Sequence, residues 1–332
     1  MKIIITGGRG FVGKAICKKL KDTDNEIHTI GRSKNFSKYD FPENCIHHCI
    51  DLAKDPLPET FFEKTDIIFH VAAKAGVWGK YSEFYSSNVL ATEKLLANCI
   101  KYNVPKLIYT STPSVVFSGH PIKNGNESLA YGDTGLSFYA ETKIIAEKHV
   151  LSKNDQSNIQ TLSLRPHLIW GENDPHLLPR VIDRHKKGRL RQVGNGKNMV
   201  DLTHVDNVAH AHICAMNAMI KNPKLGGKAY FIGQNEPVSL WKWLNEVFEK
   251  ISLPKITKKI SFKNAYLLGN SLEKIWRIFH LKGEPPMTRF VASQLSHDHW
   301  FSNESAQKDL GYKPIKDMKK SLDDSLDWLR KL

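Results

Sequence analysis

Tyr139 and Lys143 are the residues of this chain whose types and spacing best fit proton-transfer chemistry. They stand four residues apart in a predicted helix over 139–151, so they share one helical face. A free tyrosine titrates near pH ~10, and an ammonium group beside it stabilises the phenolate and lowers its pKa. Tyr139 could then act as a general acid–base on a carbonyl or hydroxyl group. The alternative is a chance pair on a solvated helix.

A cluster of hydroxyl side chains precedes this pair, directly after a predicted strand over 106–110. Ligands of open α/β sheets bind outside the carboxyl ends of the strands, where these hydroxyls lie. One of them would hydrogen-bond the same substrate oxygen as the tyrosine and fix its position. We expect Thr112 to do this, with Ser114 and Ser111 as the next candidates.

The element that would position a cofactor against these residues is the N-terminus. The β-branched run 2–6 predicts a strand buried on both faces, and an amphipathic helix follows a glycine turn. Such a turn allows a pyrophosphate to approach the backbone at the helix N-terminus. The alternative is an ordinary glycine-rich turn, and two glycine spacings fit, one starting at Gly7 and one at Gly8. The candidate residues are Gly7, Gly8, Arg9, Gly10, Phe11, Val12 and Gly13.

The end of the second predicted strand bears on which nicotinamide cofactor is used. An acid there binds the ribose of NAD, whereas an arginine accommodates the 2′-phosphate of NADP. This strand ends in Gly31-Arg32-Ser33, and Arg9 adds a second cation. We therefore predict NADP(H), with NAD(H) as the alternative if Arg32 is a solvated loop residue. Asp51 either contacts the adenine or forms a turn.

Strands and helices alternate through the first half of the chain, which predicts a doubly wound parallel sheet with helices on both faces. After residue 166 the alternation becomes irregular. We expect a dinucleotide-binding domain over 1–168, with late returns near 203–235, and a smaller substrate-binding lobe over 169–202 and 236–332. The predicted strands are 2–6, 26–31, 45–51, 66–72, 106–110, 161–165 and 229–232, and the helices are 84–101, 139–151, 177–187, 205–220 and 240–251.

Composition limits the remaining classes. The chain has 332 residues, of which 41% are hydrophobic, and a net charge of +14. The excess of cations suggests anionic partners such as a phosphorylated cofactor, an acid or an acidic membrane surface, or simply a lysine-rich composition. No zinc finger or RNA-binding motif supports nucleic acid. The five cysteines and the paired histidines lack metal-ligand spacing, so we expect no metal and a reducing, cytoplasmic setting.

Taken together, these motifs resemble the extended short-chain dehydrogenase/reductase family. The resemblance is carried by Thr6-Gly7-Gly8-x-Gly10-x-x-Gly13, Asp51-Leu52, His70-Val71-Ala72-Ala73, Asn88-Val89 and Tyr139-x-x-x-Lys143. It implies a Rossmann fold in which Asn88 supports the loops after strands four and five, and in which Lys143 bonds the nicotinamide ribose. The cofactor-binding residues implied in addition are Leu52, Ala72, Ala73, Lys74, Thr110, Pro166 and His167.

A narrower resemblance covers almost the full chain and points to the 3β-hydroxysteroid dehydrogenase branch. It is carried by residues 109–117, 122–125, 164–171, 284–291 and 309–312. This branch includes sterol-4-carboxylate 3-dehydrogenases and bacterial 2-alkyl-3-oxoalkanoate reductases. The resemblance implies NADPH-dependent reduction of the carbonyl of a β-keto acid, and Thr112 stands where the family usually has serine.

A substrate of this kind is apolar and carries a carboxylate. Residues 264–282 offer an apolar stripe flanked by Lys274, Arg277 and Lys282, which predicts a lid, a membrane-contacting helix or a plain amphipathic helix on the core. The apolar residues are Tyr266, Leu267, Leu268, Leu272, Ile275, Trp276 and Phe279. Candidates for the substrate pocket are Trp78 and Tyr81 at its mouth and Trp170, His167 and Arg289 within it, the last three with structural alternatives.

Two other functions fit the same motifs. One is a nucleotide-sugar epimerase or dehydratase, which an apolar lid disfavours. The other is a non-catalytic NADP-binding sensor, which an intact Tyr139–Lys143 pair disfavours. By analogy with the family, we expect a homodimer formed through helices 84–101 and 139–151.

Overall fold

The computed structural model describes residues 1–32, 44–132, 135–154 and 158–332. Ser33, one of the predicted cofactor-binding residues, lies outside these ranges. The strands of the described part are β1 (Lys2–Thr6), β2 (Glu26–Gly31), β3 (Cys45–Cys49), β4 (Ile67–His70), β5 (Lys106–Thr110), β6 (Ile122–Gly125), β7 (Gln160–Pro166), β8 (Ile169–Trp170), β9 (Gln192–Val193), β10 (Met199–Val200), β11 (Thr203–His204), β12 (Lys228–Ile232), β13 (Val238–Ser239), β14 (Lys259–Ile260) and β15 (His299–Phe301).

The helices lie mainly between the strands of the first half and in the last third of the chain. In the described ranges they are α1 (Phe11–Leu20), α2 (Glu59–Phe62), α3 (Tyr81–Tyr85), α4 (Ala91–Lys101), α5 (Phe138–Ser152), α6 (Leu177–Lys186), α7 (Val205–Lys221), α8 (Leu240–Lys250), α9 (Phe262–Ile278), α10 (Arg289–Ser296), α11 (Glu304–Leu310), α12 (Met318–Asp324) and α13 (Leu326–Leu329). A π-helical turn, Ser86–Leu90, joins α3 to α4.

Seven parallel strands form the central sheet in the order β3-β2-β1-β4-β5-β7-β12. The order reverses beside β1, which is the point where open α/β sheets bind ligands. The doubly wound parallel sheet predicted from the sequence is confirmed.

The first strand explains why this sheet is covered on both faces. Ile3 and Ile5 pack with Ile16 of α1 and with Ala211 of α7. Ile4 points to the other side and belongs to a second cluster with Leu95 of α4. All three isoleucines are completely buried. Because successive strand residues face opposite sides, an unbroken apolar run requires helices on both faces.

The second half of the chain builds a second core around Trp170, Trp241 and Phe248. It is accompanied by a small sheet in the order β13-β10-β15-β6. Here the structure differs from the expected organisation, because β6, from the first half, pairs with β15 in this small sheet. In the described part of the chain, no helix is both long and apolar enough to span a membrane.

Candidate active site

The glycine turn after β1 is dictated by close packing. Gly7 has φ +67°, and a Cβ there would lie 2.9 Å from the backbone nitrogen of Ala72. A Cβ on Gly8 would lie 2.4 Å from the Thr29 methyl, and one on Gly13 would lie 2.2 Å from the Gly7 carbonyl oxygen. Gly7, Gly8 and Gly13 are therefore required by the protein's own packing. The glycine spacing that starts at Gly7 omits Gly8, and the one that starts at Gly8 omits Gly7, so neither spacing describes the turn completely.

Gly10 is different, because it is exposed and precedes the first turn of α1. As the N-cap it offers no side chain to the free N–H groups of that turn, and the turn contains no acidic residue. Such N–H groups and the positive end of the helix dipole attract phosphate. The turn therefore has the shape and the donors that a pyrophosphate needs.

A cleft of about 340 Å³ opens above this turn, along the carboxyl ends of the strands. It brings together many of the predicted cofactor-binding residues, namely Gly7, Arg9, Gly10, Arg32, Asp51, Leu52, Ala72, Ala73 and Lys74. It adds residues that the sequence did not single out, namely Ile30, Gly31, Ile50, Ala53, Ser87 and Ala91. Four of these residues adjoin predicted ones in sequence, namely Ile30, Gly31, Ile50 and Ala53. Their position beside Arg32, Asp51 and Leu52 was the sequence feature that could have identified them.

Several predicted cofactor residues do not line the cleft. Gly8 and Gly13 lie behind it in the helix–strand contact. Phe11 and Val12 are half-buried and pack against the core beneath α1. Asp51 lines the cleft, but one carboxylate oxygen also accepts a hydrogen bond from the backbone N–H of Ala53 at 3.0 Å. Asp51 is therefore a turn former that also lines the cleft, and its contact with the adenine stays a prediction.

Asn88 lies on the π-helical turn and holds the loop after β4. Its side chain accepts from the Lys74 N–H at 2.7 Å and donates to the Lys74 carbonyl at 3.1 Å. It also donates to the hydroxyl of Thr142 on α5 at 3.0 Å. Asn88 therefore supports the loop after β4, as the resemblance implied, and ties it to the helix that carries Tyr139. Among the described residues, its side-chain hydrogen bonds do not include the loop after β5, which the resemblance also implied.

A buried relay that the sequence did not reveal supports the same wall. The Thr6 hydroxyl accepts from two N–H groups after β4, at 3.1 Å each, and donates to His70 Nδ1 at 2.7 Å. His70 Nε2 donates to Thr92 at 2.8 Å, and Thr92 donates to the Asn88 carbonyl at 2.6 Å. Burial lowers the pKa of His70 to about 3, so the ring stays neutral and this order of donors is fixed.

Lys143 is completely buried, and its ammonium donates to the Thr110 carbonyl oxygen at 2.7 Å. The same nitrogen lies 4.0 Å from the centre of the Tyr109 ring. Burial lowers the pKa of Lys143 to about 7, and the charge of Glu147 opposes this shift. The Thr110 hydroxyl is taken by His212 Nε2 at 2.8 Å, so its backbone, not its side chain, faces the lysine.

Tyr139 and Thr112 lie together at the carboxyl edge of the sheet, where the Thr112 hydroxyl is close enough to the phenol to affect its pKa. Thr112 also contacts the Ser114 hydroxyl at 3.2 Å and accepts from the Ser114 N–H. Burial raises the pKa of Tyr139 to about 12, although the nearby Thr112 hydroxyl opposes the rise. The expected lowering by Lys143 is absent, because the ammonium is directed to Thr110 and desolvation dominates the phenol.

A buried ion pair beneath the lysine was not found from the sequence. Glu147, one helical turn after Lys143, is bound by Arg165 Nε at 3.1 Å and by the Ser163 hydroxyl at 2.8 Å. Both members of the pair are almost completely buried. The i, i+4, i+8 spacing of Tyr139, Lys143 and Glu147 places all three on one face of α5 and was the signal available.

The structure separates the five predicted substrate residues. Trp78 lines a small pocket next to Tyr139. Tyr81 lies edge-on to Phe138, with ring centres 5.4 Å apart. Trp170, predicted at the substrate, is completely buried in the second core, where its ring packs against Trp243.

Arg289 and His167 are occupied by other groups, and Pro166 lies buried within β7. The Arg289 guanidinium binds the Glu273 carboxylate at 2.8 and 2.9 Å, so Arg289 has the structural role of an ion-pair member. His167 Nε2 donates to His299 Nδ1 at 2.6 Å, and both rings are buried. His167 and Pro166 line neither the cleft nor the pocket that contains Trp78. Within the described ranges, no three His, Cys, Asp or Glu side chains converge on a metal position.

The strand order, the glycine turn after β1 and the Tyr139–Lys143 pair at the same sheet edge define a nicotinamide-dependent oxidoreductase of the short-chain dehydrogenase class. The model of the 3-beta hydroxysteroid dehydrogenase/isomerase family matches residues 4–263, and the chain belongs to this family. The resemblance noted from the sequence is thereby confirmed.

Two curated relatives are similar over nearly the whole chain. A 2-alkyl-3-oxoalkanoate reductase of Stenotrophomonas maltophilia is 40% identical over 320 residues, covering 95% of each chain. A sterol-4-alpha-carboxylate 3-dehydrogenase (decarboxylating) of Mus musculus is 32% identical, covering 97% of this chain and 89% of the relative. The chain is thus an NAD(P)-dependent oxidoreductase, like these relatives.

Solved structures give the same fold at lower identity. A UDP-glucuronic acid 4-epimerase from Bacillus cereus in complex with NAD superposes with a TM-score of 0.77 at 21% identity. The match covers 100% of this chain and 99% of the other. At this identity the similarity concerns the fold alone.

Proposed function

We propose that the protein is an NADP(H)-dependent reductase of the 3-oxo group of a long-chain β-keto acid or a sterol-like acid, and that it also oxidises the 3-hydroxy product. The observation that carries this proposal is the meeting of the Tyr139 and Thr112 hydroxyls beside the buried Lys143, at the edge where the cleft opens. The names of the two curated relatives support the substrate class.

In this mechanism the nicotinamide, when bound, supplies or accepts the hydride. Tyr139 holds the proton, because a pKa of about 12 keeps the phenol protonated at neutral pH. It donates that proton to the substrate oxygen, and Thr112 hydrogen-bonds the same oxygen and orients it. Ser114 supports Thr112 through the bond between their hydroxyls. Lys143, anchored on Thr110, lies one helical turn away and would bond the nicotinamide ribose.

The residues of the cleft suit a dinucleotide. Gly7, Arg9 and Gly10 would hold the pyrophosphate, with Ala72 and Ala73 along the opposite wall. We propose NADP(H) over NAD(H) because Arg32, exposed at the end of β2, lines the cleft where an NAD enzyme carries an acid. Arg32→Gln should lower kcat/KM with NADPH by about 10- to 100-fold and leave the value with NADH nearly unchanged.

Residues 264–282 support the lipophilic half of the proposal and a contact with an anionic membrane. On and just after α9, Leu267, Ile278 and Phe279 expose 53%, 69% and 68% of their surface. Lys274 and Lys282 flank these side chains. Exposed apolar side chains beside cations are typical of helices that lie on acidic bilayers.

Three organisational features complete the proposal. We propose a boundary near residue 168 between the cofactor domain and the substrate lobe, since the second core draws on later residues. We also propose a homodimer through α4 and α5, which pack side by side. All five cysteines are free, which suits a reducing compartment such as the cytoplasm.

The decisive experiment follows NADPH oxidation with a panel of 2-alkyl-3-oxo acids of increasing chain length, 3-ketosteroids and UDP-sugars. We expect consumption with the keto acids and no reaction with the UDP-sugars. Tyr139→Phe should abolish turnover while cofactor binding is retained. Turnover of UDP-sugars alone would favour an epimerase or dehydratase, and binding of NADPH without turnover of any compound would favour a sensor.

A further inference from the structure

Arg277 on α9 lines a small pocket that is also lined by Tyr139, the proposed proton donor. Its guanidinium carbon lies 5.4 Å from the centre of the Trp78 ring and 5.6 Å from that of Phe138. Tyr139, the next residue after Phe138, lines the same pocket. Two aromatic rings therefore hold a cation in the wall of the pocket that Tyr139 also lines.

Across the residues that the structure describes, the guanidinium of Arg277 contacts two aromatic rings and forms no ion pair. Glu273, one helical turn earlier and in the wall of the same pocket, is bound by Arg289 through its guanidinium and its backbone N–H. Other cations of this region are also paired, since Arg180 binds Glu284 and Lys74 binds Glu83. Among the described residues, no carboxylate lies within ion-pair distance of Arg277.

We propose that Arg277 binds the carboxylate of the substrate. This inference rests on the proposed function, because a 3-oxo acid carries its carboxylate one carbon away from the reacting carbonyl. When that carbonyl oxygen meets Tyr139, the anion must lie in the immediate surroundings of the phenol. A planar guanidinium can bind a carboxylate with two parallel hydrogen bonds. The rings of Trp78 and Phe138 reduce the access of water, which would otherwise compete with the carboxylate for these hydrogen bonds.

Arg277, and not Arg289, is then the residue whose positive charge binds the substrate. The enzyme is consequently specific for free acids. A ketone or an ester of the same shape would leave Arg277 without an anion. Selectivity for the acid should therefore appear in KM, because the ion pair forms in the ground state as well as in the transition state.

The test uses a 2-alkyl-3-hydroxy acid and its methyl ester, both oxidised with NADP⁺ by the full-length protein. Arg277→Gln should raise KM for the acid by about 10- to 100-fold, with KM for the ester changed less than about twofold. Arg277→Lys should give an intermediate KM for the acid, because the charge remains and the paired hydrogen bonds are lost. The matched control is Lys263→Gln, an exposed cation on the first turn of the same helix, which should change neither value.

The two proposals fail in different ways. An equal loss for acid and ester in Arg277→Gln, or a loss of kcat with KM unchanged, would overturn the assignment of Arg277 while leaving the proposed function intact. If the wild-type protein oxidises neither compound, the proposed function fails, and the carboxylate site fails with it. Arg277→Lys also tests folding, since a variant with wild-type ester kinetics has kept the site intact.

Discussion

The Nζ of Lys143 lies 2.7 Å from the carbonyl oxygen of Thr110, the last residue of β5. This bond fixes a completely buried ammonium to the edge of the sheet, one helical turn beyond Tyr139. The lysine therefore has a defined position before any ligand binds. Its effect on Tyr139 is positional in this form of the protein, because burial raises the pKa of the phenol.

Lys143→Met should lower turnover by about 100-fold or more. It should also alter the pH dependence of the free energy of unfolding. Burial lowers the pKa of Lys143 from 10.5 to about 7, so between these values the unfolded chain binds a proton that the folded protein lacks. Wild-type stability therefore rises with pH across this interval, by an order of a few kcal/mol relative to the variant. Urea unfolding of both proteins at a series of pH values measures the difference. A constant difference would show that Lys143 titrates normally.

Glu147→Leu should destabilise the protein by about 3–5 kcal/mol, because it leaves the Arg165 guanidinium buried without its carboxylate. Urea unfolding at neutral pH measures this loss. The double variant Glu147→Leu/Arg165→Met removes both charges and should recover most of it. If the single variant is as stable as the double variant, the unpaired charge of Arg165 does not destabilise the folded protein, and the prediction is wrong.

The glycine turn offers a matched pair of substitutions. Gly13→Ala places a methyl group 2.2 Å from the Gly7 carbonyl oxygen, so α1 must move away from β1 and the melting temperature should fall by several degrees. Gly10→Ala meets only one atom, at 3.1 Å, and faces the cleft. We expect nearly wild-type melting for Gly10→Ala without cofactor, together with a weaker Kd for NADPH. Thermal melting with and without NADPH distinguishes these effects, and identical behaviour of the two variants would contradict them.

The sequence could predict the features that depend on near neighbours. The apolar run 2–6 and the glycines after it determine a buried strand and its turn within thirteen residues, and the spacing of Tyr139 and Lys143 depends on one helical turn. Both patterns are local, so the central sheet and the position of the cleft could be predicted before the structure was known.

Features that depend on distant contacts could not be predicted in this way. Glu147 meets Arg165 only because α5 packs on β7, and Ile122 of β6 pairs with His299 of β15, 177 positions later in the chain. Trp170 was wrongly predicted in the substrate pocket, since an aromatic residue near the sheet edge suits a pocket as well as a core. It lies in the core, where it packs against Trp243, a residue distant in sequence.

The outward side of α9 and the residue that follows it give the last prediction, which concerns the proposed membrane contact. Replacing Ile278 and Phe279 by serine removes two side chains that expose more than two thirds of their surface. Each would contribute about 1.5–3 kcal/mol when buried in lipid, so binding to phosphatidylglycerol vesicles should weaken by at least about tenfold. Co-sedimentation measures the bound fraction, and phosphatidylcholine vesicles or added salt should reduce wild-type binding as well, because the flanking lysines act through charge. Ile46→Ser is the control, since this residue is half-exposed on the edge strand β3, and it should leave binding unchanged. Equal binding of the wild type and the double variant would show that this helix face does not meet the membrane.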